Sequence, residues 1–565
     1  MGTRKPPMAV VSTNNAQPIL VQFVDEGIGD MPPTRAGFRR DTLGNVFSLQ
    51  VKGSRKSAHN TMTARLPHYC VVGGGICGLT TAYFISLLKP PGSYRLTVLE
   101  ASPRCGGWIH SVRNPNTGAV YDLGPHSARA FAPTSSLLLR VALSLDLKNS
   151  LLWMLRDTDS SRSQLYVGGK LVPISPLGFR ATEPFTRSPL GLITRSLFSK
   201  RPPSQSDWSV DEFLRTRLDD EFADYLGSAM MRGIYAGDSR ELSARACLPQ
   251  LVQSEELGPN MILGLLRLAR MQPKNPKSRL PTQLDEQLPP SKSVTPRHAM
   301  AWSLSSGMQT LTDALYYRLR DSGPHSTVLV NSPVCKIHPG SAGRLHVDWS
   351  PDNMSSVQMQ DVDAVFLCCP SYRTADILKE MLSPDVVARL DKSHLPWANV
   401  AVAVLELESP AQPPVRAFGH LVPRLVDSNV LGVIYDSVAF PKLDSPQGTV
   451  RYTVMMKPYP QWLELNATDP NRVAKAMEAK ALDVLREHLG LTNACVVDRH
   501  VGIHYDSIPQ YPVGHLDNIK ALREEISTAG ASGVHLVGYS YDGVGIGDVV
   551  HSGLKAVCAE LNVAL

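Results

Sequence analysis

The chain has 565 residues, of which 43% are apolar and 19% charged, and its formal net charge is +6. A chain of this length divides into two or three domains, and its composition is that of an ordinary globular protein, which excludes collagens, disordered tails and small disulfide scaffolds. The basic excess lies almost entirely in residues 1–66, which hold nine Lys/Arg against four Asp/Glu. A nucleic-acid-binding protein would carry its basic surface on the folded body, so this distribution argues against a nucleic-acid partner.

The nine cysteines include no C-x-x-C pair, and most of them lie within apolar runs. This usage is typical of buried, reduced thiols in a protein that is not secreted. The 16 histidines are scattered along the chain, and we predict no metal site. The stretch nearest to a membrane span is 69–88, but four glycines lie in its first half, so we interpret it as part of a dinucleotide-binding unit.

Residues 1–66 are rich in Ser, Thr, Asn, Pro, Gly and Arg and show no sustained period. We predict a disordered N-terminal extension. An Arg-bearing, hydroxyl-rich arm resembles an organelle transit peptide, but Asp25, Glu26 and Asp30 interrupt it. A cleaved transit peptide, a lineage-specific tail and a mispredicted start therefore remain open.

The first predicted elements form a βαβ unit, with a strand at 69–72, a helix at 79–88 and a strand at 95–100. The middle of the chain, residues 136–325, has mostly helical periodicity. Six prolines within 272–298 predict a flexible, solvated loop inside this segment. The helices predicted in the middle segment are 135–147, 210–231 and 258–271.

Strand-type apolar runs return after residue 326. A helix is predicted at 471–489, and the chain closes with a strand at 535–537, a glycine-rich turn and a helix at 548–561. Because a strand, a glycine turn and a helix occur at both ends, we predict that the two ends build one discontinuous domain. The strands predicted between these ends are 328–330, 364–368, 399–407, 432–434 and 452–456.

A glycine fingerprint follows the first predicted strand. It has the G-x-G-x-x-G pattern, it opens a helix, and Glu100 stands at the end of the next strand. Glycines of this kind permit a tight turn and a close approach to a pyrophosphate, the helix N-terminus offers free N–H groups, and the acid accepts the ribose hydroxyls. The fingerprint therefore predicts dinucleotide binding by Gly73, Gly74, Gly75, Ile76, Cys77 and Gly78.

Two further glycine-rich turns point to a flavin. Arg104-Cys105-Gly106-Gly107-Trp108 follows Glu100 at once and resembles the flavoprotein pattern of the amine oxidase superfamily, with Arg104 expected near the cofactor phosphates. The run 536–548, glycine-rich and leading into the last helix, can place N–H groups and a positive helix end against the anionic edge of a reduced flavin.

Longer segments resemble one family closely, the protoporphyrinogen oxidases. The similarity covers most of residues 69–560, and the middle segments are far more specific than the glycine fingerprint. The segments are Val72 to Gly78, Gly106 to Ile109, Leu123 to Pro125, Leu165 to Gly169, Arg232 to Ser243, Phe418 to Pro423, Tyr435 to Pro441, Ile508 to Tyr511 and Ser540 to Val544.

The resemblance implies one non-covalent FAD per chain and oxidation of protoporphyrinogen IX to protoporphyrin IX, the penultimate step of haem biosynthesis. It implies removal of six electrons, O2 as acceptor and H2O2 as by-product. Besides the fingerprint, the family's FAD contacts carry over to Glu100, Ala101, Trp108, Gly124, Pro125, His126, Ser127, Val334, Tyr539, Val544, Gly545 and Ile546.

The family's porphyrinogen pocket carries over to Gly233, Phe418, Leu421 and Met455. An arginine shortly before the Leu-Tyr-Val-Gly-Gly segment meets a substrate propionate in the family, and this chain offers Arg162, although an ungapped match would place Ser163 there. No catalytic side chain is expected, because hydride leaves a meso carbon whose pyrrole nitrogens stabilise the cation.

The resemblance also implies a peripheral membrane protein, in animals on the intermembrane-space side of the mitochondrial inner membrane. A homodimer and a contact with ferrochelatase belong to the same expectation. The sequence itself contributes the run 258–271, whose leucines beside Arg267 and Arg270 suit a helix lying at an interface, although the same pattern also packs on its own protein.

The predicted fold class is α/β: a discontinuous, Rossmann-like FAD-binding domain, a mixed-sheet substrate domain and an inserted helical, membrane-associating domain. The extension precedes these domains at residues 1–66. The FAD-binding domain is assigned to 67–135, 326–375 and 506–565, the helical domain to 136–325 and the substrate sheet to 376–505.

The sequence leaves two other functions open, an amine oxidase and a non-catalytic binding protein. A flavin amine oxidase often carries a cysteine for covalent flavin attachment near the last motif, and 538–541 has none. A non-catalytic protein such as a Rab GDP-dissociation inhibitor shares the fold but does not need the second glycine-rich entry at 543–547. A bound yellow chromophore would separate this binder from either oxidase.

Overall fold

A computed structural model describes residues 10–11, 19–20, 65–130, 133–156, 158–174, 183–198, 207–271, 280–351, 357–408 and 416–565. The chain forms two compact units, residues 1–64 and 65–565. Within the first unit, two short strands pair antiparallel. The predicted disordered extension lies almost entirely outside the described residues.

The strands are numbered in chain order. They are β1 Val10–Val11, β2 Ile19–Leu20, β3 His68–Val72, β4 Arg95–Leu99, β5 Ser111–Arg113, β6 Val120–Asp122, β7 Ala128–Arg129, β8 Leu151–Leu155, β9 Ser163–Val167, β10 Lys170–Ile174, β11 Ala299–Leu304, β12 Ser326–Leu329, β13 Val334–Pro339, β14 Leu345–Trp349, β15 Gln358–Val362, β16 Ala364–Leu367, β17 Trp397–Leu407, β18 Gly419–Leu421, β19 Val430–Ile434, β20 Val450–Met456, β21 Val496–Pro509 and β22 Val534–Leu536.

The helices are numbered in the same way. They are α1 Ile76–Leu88, α2 Pro133–Ser144, α3 Pro189–Phe198, α4 Val210–Arg217, α5 Ser228–Tyr235, α6 Ala244–Cys247, α7 Pro249–Leu257, α8 Met261–Met271, α9 Thr282–Gln287, α10 Gln309–Arg320, α11 Ser371–Leu378, α12 Pro384–Leu390, α13 Asp436–Ala439, α14 Pro460–Asn466, α15 Pro470–Leu489, α16 His515–Thr528 and α17 Ile546–Glu560.

A five-stranded parallel sheet organises the second unit. Its order is β12-β4-β3-β16-β22, so three separate stretches of chain, including both ends of this unit, contribute strands to one sheet. Side chains alternate across the sheet: Tyr69 and Val71 join the apolar cluster that contains α1, α2, α10 and α17, whereas Cys70 and Val72 join the cluster on the opposite face. A parallel sheet covered on both faces is the arrangement expected of a dinucleotide-binding fold.

The second large sheet of this unit is mixed and has seven strands. Its order is β10-β9-β18-β19-β20-β17-β21, and the long helix α15 packs on it through Val473, Met477 and Val484. The structure differs here from the prediction, because β9 and β10 come from the segment predicted to be helical. β9 pairs parallel with β18, a long-range contact that the local sequence pattern does not encode.

Two predicted elements of the middle segment also differ. The helix predicted over 210–231 is broken: α4 ends at Arg217, and a π-helical turn at Phe222–Gly227 leads into α5. The helix breaks because Asp219 caps the N-terminus of a new helical segment: its Oδ1 accepts a hydrogen bond from Phe222 N–H at 2.7 Å.

The flexible loop predicted over 272–298 contains helix α9 and a 3₁₀ turn within its described part, residues 280–298. Leu284 and Leu288 are buried, and the Arg140 guanidinium donates to the Pro289 carbonyl at 3.2 Å. The prolines therefore shape a packed segment. Among the helices of the described ranges, none combines the length and the apolar character needed to cross a bilayer.

Candidate functional site

The turn between β3 and α1 is built around its glycines. Gly73 has φ +104°, and a Cβ there would stand 3.0 Å from the Cys368 carbonyl oxygen. A Cβ at Gly78 would stand 1.8 Å from the Gly73 oxygen, so no larger residue fits. α1 starts after Gly75 with no side-chain cap and no acid in its first turn. Its N–H groups can therefore receive an anion.

Glu100 lies beside this turn. Its Oε2 accepts from Gly74 N–H at 2.6 Å, and its Oε1 accepts from Ser102 N–H at 2.8 Å. The Glu100 carbonyl also accepts from Ser332 N–H at 2.7 Å, and this contact brings the start of β13, with Val334, next to the acid. The structure thus brings the predicted residues Glu100 and Val334 close together, with exposed Ala101 following Glu100.

The second glycine turn faces the first. Gly106 N–H donates to the Gly74 carbonyl at 2.8 Å. A Cβ at Gly75 would meet Gly107 Cα at 3.8 Å and no other atom within 4 Å. The space in front of Gly75 is therefore a cradle without side chains, which fits a pyrophosphate. The Arg104 guanidinium donates to the carbonyls of Gly107 at 2.8 Å and Ile109 at 3.2 Å and so shapes the turn, and its place near the cofactor phosphates stays a prediction.

The last glycine-rich turn leads into α17 at the same edge of the sheet. Because β3 and β22 both run parallel to β16, the helices that follow them begin at the carboxyl edge. Gly545 is the N-cap of α17 and has no side-chain cap. Asp548 in the first turn accepts from Thr134 Oγ1 at 2.9 Å. The predicted residues Val544, Gly545 and Ile546 thus lie at a second helix N-terminus, where Asp548 Oδ2 would stand 2.7 Å from a Cβ at Gly545.

Aromatic side chains connect these turns. Trp108 Nε1–H donates to the Tyr539 hydroxyl at 3.2 Å, and Trp397 meets the Tyr539 ring edge-on at 5.4 Å. The Tyr511 hydroxyl donates to the Tyr539 carbonyl. Burial raises the pKa of Tyr539, so its phenol stays neutral at physiological pH. Trp108 and Tyr539, both predicted cofactor contacts, are therefore brought together.

The loop 124–127 lies against the second glycine turn. A Cβ at Gly124 would stand 1.8 Å from the Trp108 carbonyl oxygen, so the loop requires glycine there. His126 Nδ1 is 2.9 Å from Asp436 Oδ1, and both side chains are buried. Burial by itself would lower the pKa of His126, but the Asp436 and Asp122 carboxylates raise it above its ordinary value. The two carboxylates therefore favour the protonated imidazole at this place in the loop, next to the predicted residues Pro125 and Ser127.

Three of the predicted substrate residues meet at one wall. A Cβ at Gly233 on α5 would stand 2.6 Å from Leu421 Cδ2 on β18. Met455 on β20 pairs with Gly432, which itself contacts Leu421. This wall is apolar. It lies close to the loop 124–127, because Met455 packs in the same apolar cluster as Leu123, the residue before that loop.

Phe418 and Arg162 lie at the margins of this wall. Phe418 directly precedes β18 and packs with Val120, Leu152 and Phe440. The Arg162 side chain is 68% exposed and lies 3.3 Å from Asp159. It precedes β9, and strand alternation places it on the face of Gln164, opposite the face that Leu165 shares with Leu421. The structure thus does not bring Arg162 to the wall.

Asp436 is the residue that sequence reasoning missed. It stands within a segment quoted for the family resemblance, but no role was assigned to it. A single acid in the apolar run 433–440 was the available signal, because a buried carboxylate requires a partner. In the ranges that the structure describes, no group of three or more metal-ligating side chains occurs.

Two helix N-termini at one sheet edge, an acid at a strand end and facing glycine turns define a dinucleotide-binding protein. The family model described as flavin containing amine oxidoreductase matches residues 76–560. Human protoporphyrinogen oxidase is 34% identical over 501 residues, with 87% of this chain and 98% of the relative covered. The chain therefore belongs to the flavin-containing amine oxidoreductases, in the branch of the protoporphyrinogen oxidases, and its cofactor is FAD.

One more sequence relative and one solved structure are also similar to the chain. Coproporphyrinogen III oxidase of Bacillus subtilis is 27% identical over 511 residues, covering 87% of this chain and 98% of the relative. The structure of cyclohexylamine oxidase from Brevibacterium oxydans superposes with a TM-score of 0.60 at 16% identity, covering 88% of this chain and all of that one, which supports the fold. The match to a flavin-containing family argues against the Rab GDP-dissociation-inhibitor alternative.

Proposed function

We propose that the chain oxidises protoporphyrinogen IX to protoporphyrin IX, with FAD as its cofactor, O2 as the terminal electron acceptor and H2O2 as the by-product. This is the penultimate step of haem biosynthesis. The observation that carries the proposal is the 34% identity to human protoporphyrinogen oxidase over nearly the full length of both proteins. The apolar wall of Gly233, Leu421 and Met455 supports it.

Residues at the carboxyl edge of the parallel sheet would each hold a different part of FAD. The N-terminus of α1 and the Gly75 cradle suit the pyrophosphate, Glu100 suits the ribose hydroxyls, and the N-terminus of α17 suits the flavin end. When bound, FAD supplies the two-electron chemistry. Trp108 and Tyr539 then link the second glycine turn to the last helix through a hydrogen bond of 3.2 Å.

The substrate side needs orientation and the exclusion of water. A macrocycle pressed against an apolar wall is held by its shape, and holding the reacting carbon close to its acceptor lowers the entropic part of the barrier. Gly233 contributes by leaving room for Leu421, and Gly432 also leaves room for it, because a Cβ there would stand 3.3 Å from Leu421 Cδ2. None of these residues carries an acid or base, in keeping with a hydride transfer that asks for no proton-transfer residue.

The assay that tests this function compares substrates on the purified holoenzyme. Protoporphyrinogen IX should give porphyrin fluorescence and H2O2 in a ratio of one H2O2 per electron pair. Coproporphyrinogen III tests the alternative raised by the bacterial relative, and cyclohexylamine tests the amine oxidase alternative. A higher kcat/KM for either alternative than for protoporphyrinogen IX would overturn the substrate assignment.

We further propose peripheral attachment to the mitochondrial inner membrane on the intermembrane-space side. The support is helix α8, which exposes Leu263 by 39%, Leu266 by 52% and Met271 by 66% of their surfaces, beside the cation Arg270. Flotation with vesicles of phosphatidylcholine and cardiolipin tests it. Leu266→Asp should reduce vesicle binding, whereas Met359→Asp, an exposed residue of β15, is the matched control.

We also propose a homodimer and a contact with ferrochelatase. Both rest on the family resemblance. Sedimentation velocity of the holoenzyme in detergent tests the dimer, and co-sedimentation with purified ferrochelatase tests the contact. A protein that sediments as a monomer at all concentrations would remove the dimer from the account, and protease protection in mitoplasts would test the side of the membrane.

A further inference from the structure

A buried ion pair joins the cofactor loop to the substrate sheet. His126 belongs to the loop 124–127, and Asp436 is the first residue of α13, separated from the end of β19 by Tyr435. Their side-chain atoms Nδ1 and Oδ1 lie 2.9 Å apart, with 10% and 6% of the side chains exposed. His126 Nε2 finds no hydrogen-bond acceptor among the described residues. Asp436 is therefore the group that fixes the imidazole ring.

Asp436 is itself fixed by the substrate sheet. Its Oδ2 accepts from Thr453 Oγ1 on β20 at 2.7 Å. The residue before it, Tyr435, donates its N–H to the Phe418 carbonyl at 2.9 Å, and Phe418 leads directly into β18. Movement of Asp436 would therefore move the strand that carries Leu421.

The other end of the pair is equally constrained. Gly124 packs against the Trp108 carbonyl with no space for a Cβ, and Leu123 N–H donates to the His110 carbonyl at 2.8 Å. The loop thus follows Trp108, whose indole bonds to Tyr539. A continuous series of contacts therefore runs from the two facing glycine turns, through His126 and Asp436, to the apolar wall of Gly233, Leu421 and Met455.

The charges around the pair favour its ionised form. Asp122 and Asp436 attract the His126 imidazolium, whereas the Arg451 guanidinium repels it. Arg451 in turn donates to Asp444 Oδ1 at 2.8 Å, which offsets its charge. Removing one member of a buried pair leaves the other charge unpaired, and this costs more than removing both.

We propose that His126 and Asp436 form a positioning pair that sets the distance between the bound flavin and the porphyrinogen. The inference rests on the proposed function, since it takes loop 124–127 as a flavin contact and the Leu421 wall as a substrate contact. Neither residue takes part in hydride transfer. Because a misplacement of about 1 Å can cost about a hundredfold in rate, the loss should appear in kcat.

The test uses His126→Gln, Asp436→Asn, the double variant and His126→Arg on the full-length holoenzyme. The two single variants should lower kcat by about ten- to a hundredfold and shift the absorption bands of the bound flavin. The double variant, which buries no unpaired charge, should lose less than the product of the single losses. His126→Arg keeps a cation beside Asp436 and should restore most of kcat.

His338→Gln is the matched control, because His338 also faces a carboxylate, Asp348 at 3.4 Å, but on the separate sheet of β13 and β14. It should match the wild type. A pair that merely stabilises the fold would lower the melting temperature while leaving kcat and the flavin bands unchanged, and this result would overturn the proposal. Multiplicative losses in the double variant would do the same.

Failure of the proposed function is distinguishable from failure of this inference. If the wild type binds FAD but does not oxidise protoporphyrinogen IX, the function fails, while the flavin bands and the FAD dissociation constant still report on the pair. If the wild type turns over and the single variants match it in kcat and flavin bands, the positioning pair fails and the function stands.

Discussion

Gly233 on α5 and Leu421 on β18 are in contact so close that a Cβ on residue 233 would stand 2.6 Å from Leu421 Cδ2. The neighbouring atom is the end of a flexible side chain, so the protein can accommodate the change by moving Leu421. Gly432 also leaves space at this atom, because its own added Cβ would lie 3.3 Å from Leu421 Cδ2. The wall of the proposed substrate site therefore depends on two glycines that contact one leucine.

Gly233→Ala is expected to raise KM for protoporphyrinogen IX several-fold while FAD binding stays unchanged. The displaced Leu421 would occupy space used by the macrocycle, whereas alanine favours the helix by about 1 kcal/mol over glycine and limits any loss of stability. Steady-state kinetics and thermal unfolding measure the two effects. Gly191→Ala on α3, whose Cβ meets its nearest atom at an ordinary 3.6 Å, is the control. An unchanged KM would place the substrate elsewhere.

Gly75→Asp is expected to abolish FAD retention without unfolding the protein. Gly75 has φ −71° and ψ 179°, which any residue adopts, and a Cβ there meets no atom closer than 3.8 Å. The added carboxylate would instead repel the pyrophosphate. Flavin absorbance after gel filtration and the far-ultraviolet circular dichroism measure both expectations. Gly75→Ala, without the charge, should retain more FAD, and a yellow Gly75→Asp protein would contradict the cradle.

Arg162→Ala is expected to leave KM for protoporphyrinogen IX within about twofold of the wild type, because an exposed, ion-paired arginine contributes little. Its guanidinium is 68% exposed and paired with Asp159 at 3.3 Å. A KM increase of tenfold or more would show that the side chain swings to the substrate, as the family resemblance implies. Asp159→Ala, which frees the arginine, separates these outcomes, since it should lower KM only in the second case.

The pH dependence of stability should reveal the charge on His126. Its pKa is raised above its ordinary 6.5, despite burial, by Asp436 and Asp122, so its contribution to stability is present below pH 6.5 and is lost as the pH rises through the raised value. Arg451 and Asp444 also face this region, and a hydrogen bond of 2.8 Å joins their side chains. Melting temperatures of the wild type should therefore fall on the alkaline side.

His126→Arg supplies the comparison for that measurement, because arginine does not lose its proton in this range. Its melting temperature should decline less between neutral and alkaline pH than that of the wild type. Parallel alkaline declines in both proteins would show that His126 is not charged.

The Asp436 carboxyl has a lowered pKa, because the attraction of His126 outweighs the effect of burial. Its contribution to stability therefore persists above pH 3.8 and is lost only as the pH falls through the lowered value.

Local patterns explain which parts of the fold the sequence predicts. The βαβ unit over 68–99 and the last strand and helix are predicted because apolar period, glycine turn and strand-end acid lie close together in the chain. The pairing of β9 with β18 joins distant segments, and no local pattern indicates it. The prolines of 272–298 indicate the ends of elements but do not indicate that α9 buries Leu284.

The site shows the same division. The glycines, Glu100 and the α17 turn are each predicted from backbone requirements of their own neighbourhood. The His126–Asp436 pair is not, because it depends on two buried charges brought together by the contact of two sheets. Arg162 shows a limit of matching by position: a one-residue shift before a strand transfers a side chain to the other face of the sheet, so Arg162 and Ser163 predict different faces.

The central claim is most directly tested by mixing the purified holoenzyme with protoporphyrinogen IX without oxygen and recording the flavin absorbance near ~450 nm, where an oxidised flavin cofactor absorbs. The account predicts rapid bleaching, followed on admission of air by return of the absorbance and by porphyrin fluorescence above the rate without enzyme. A flavin that stays oxidised in the presence of protoporphyrinogen IX would contradict it.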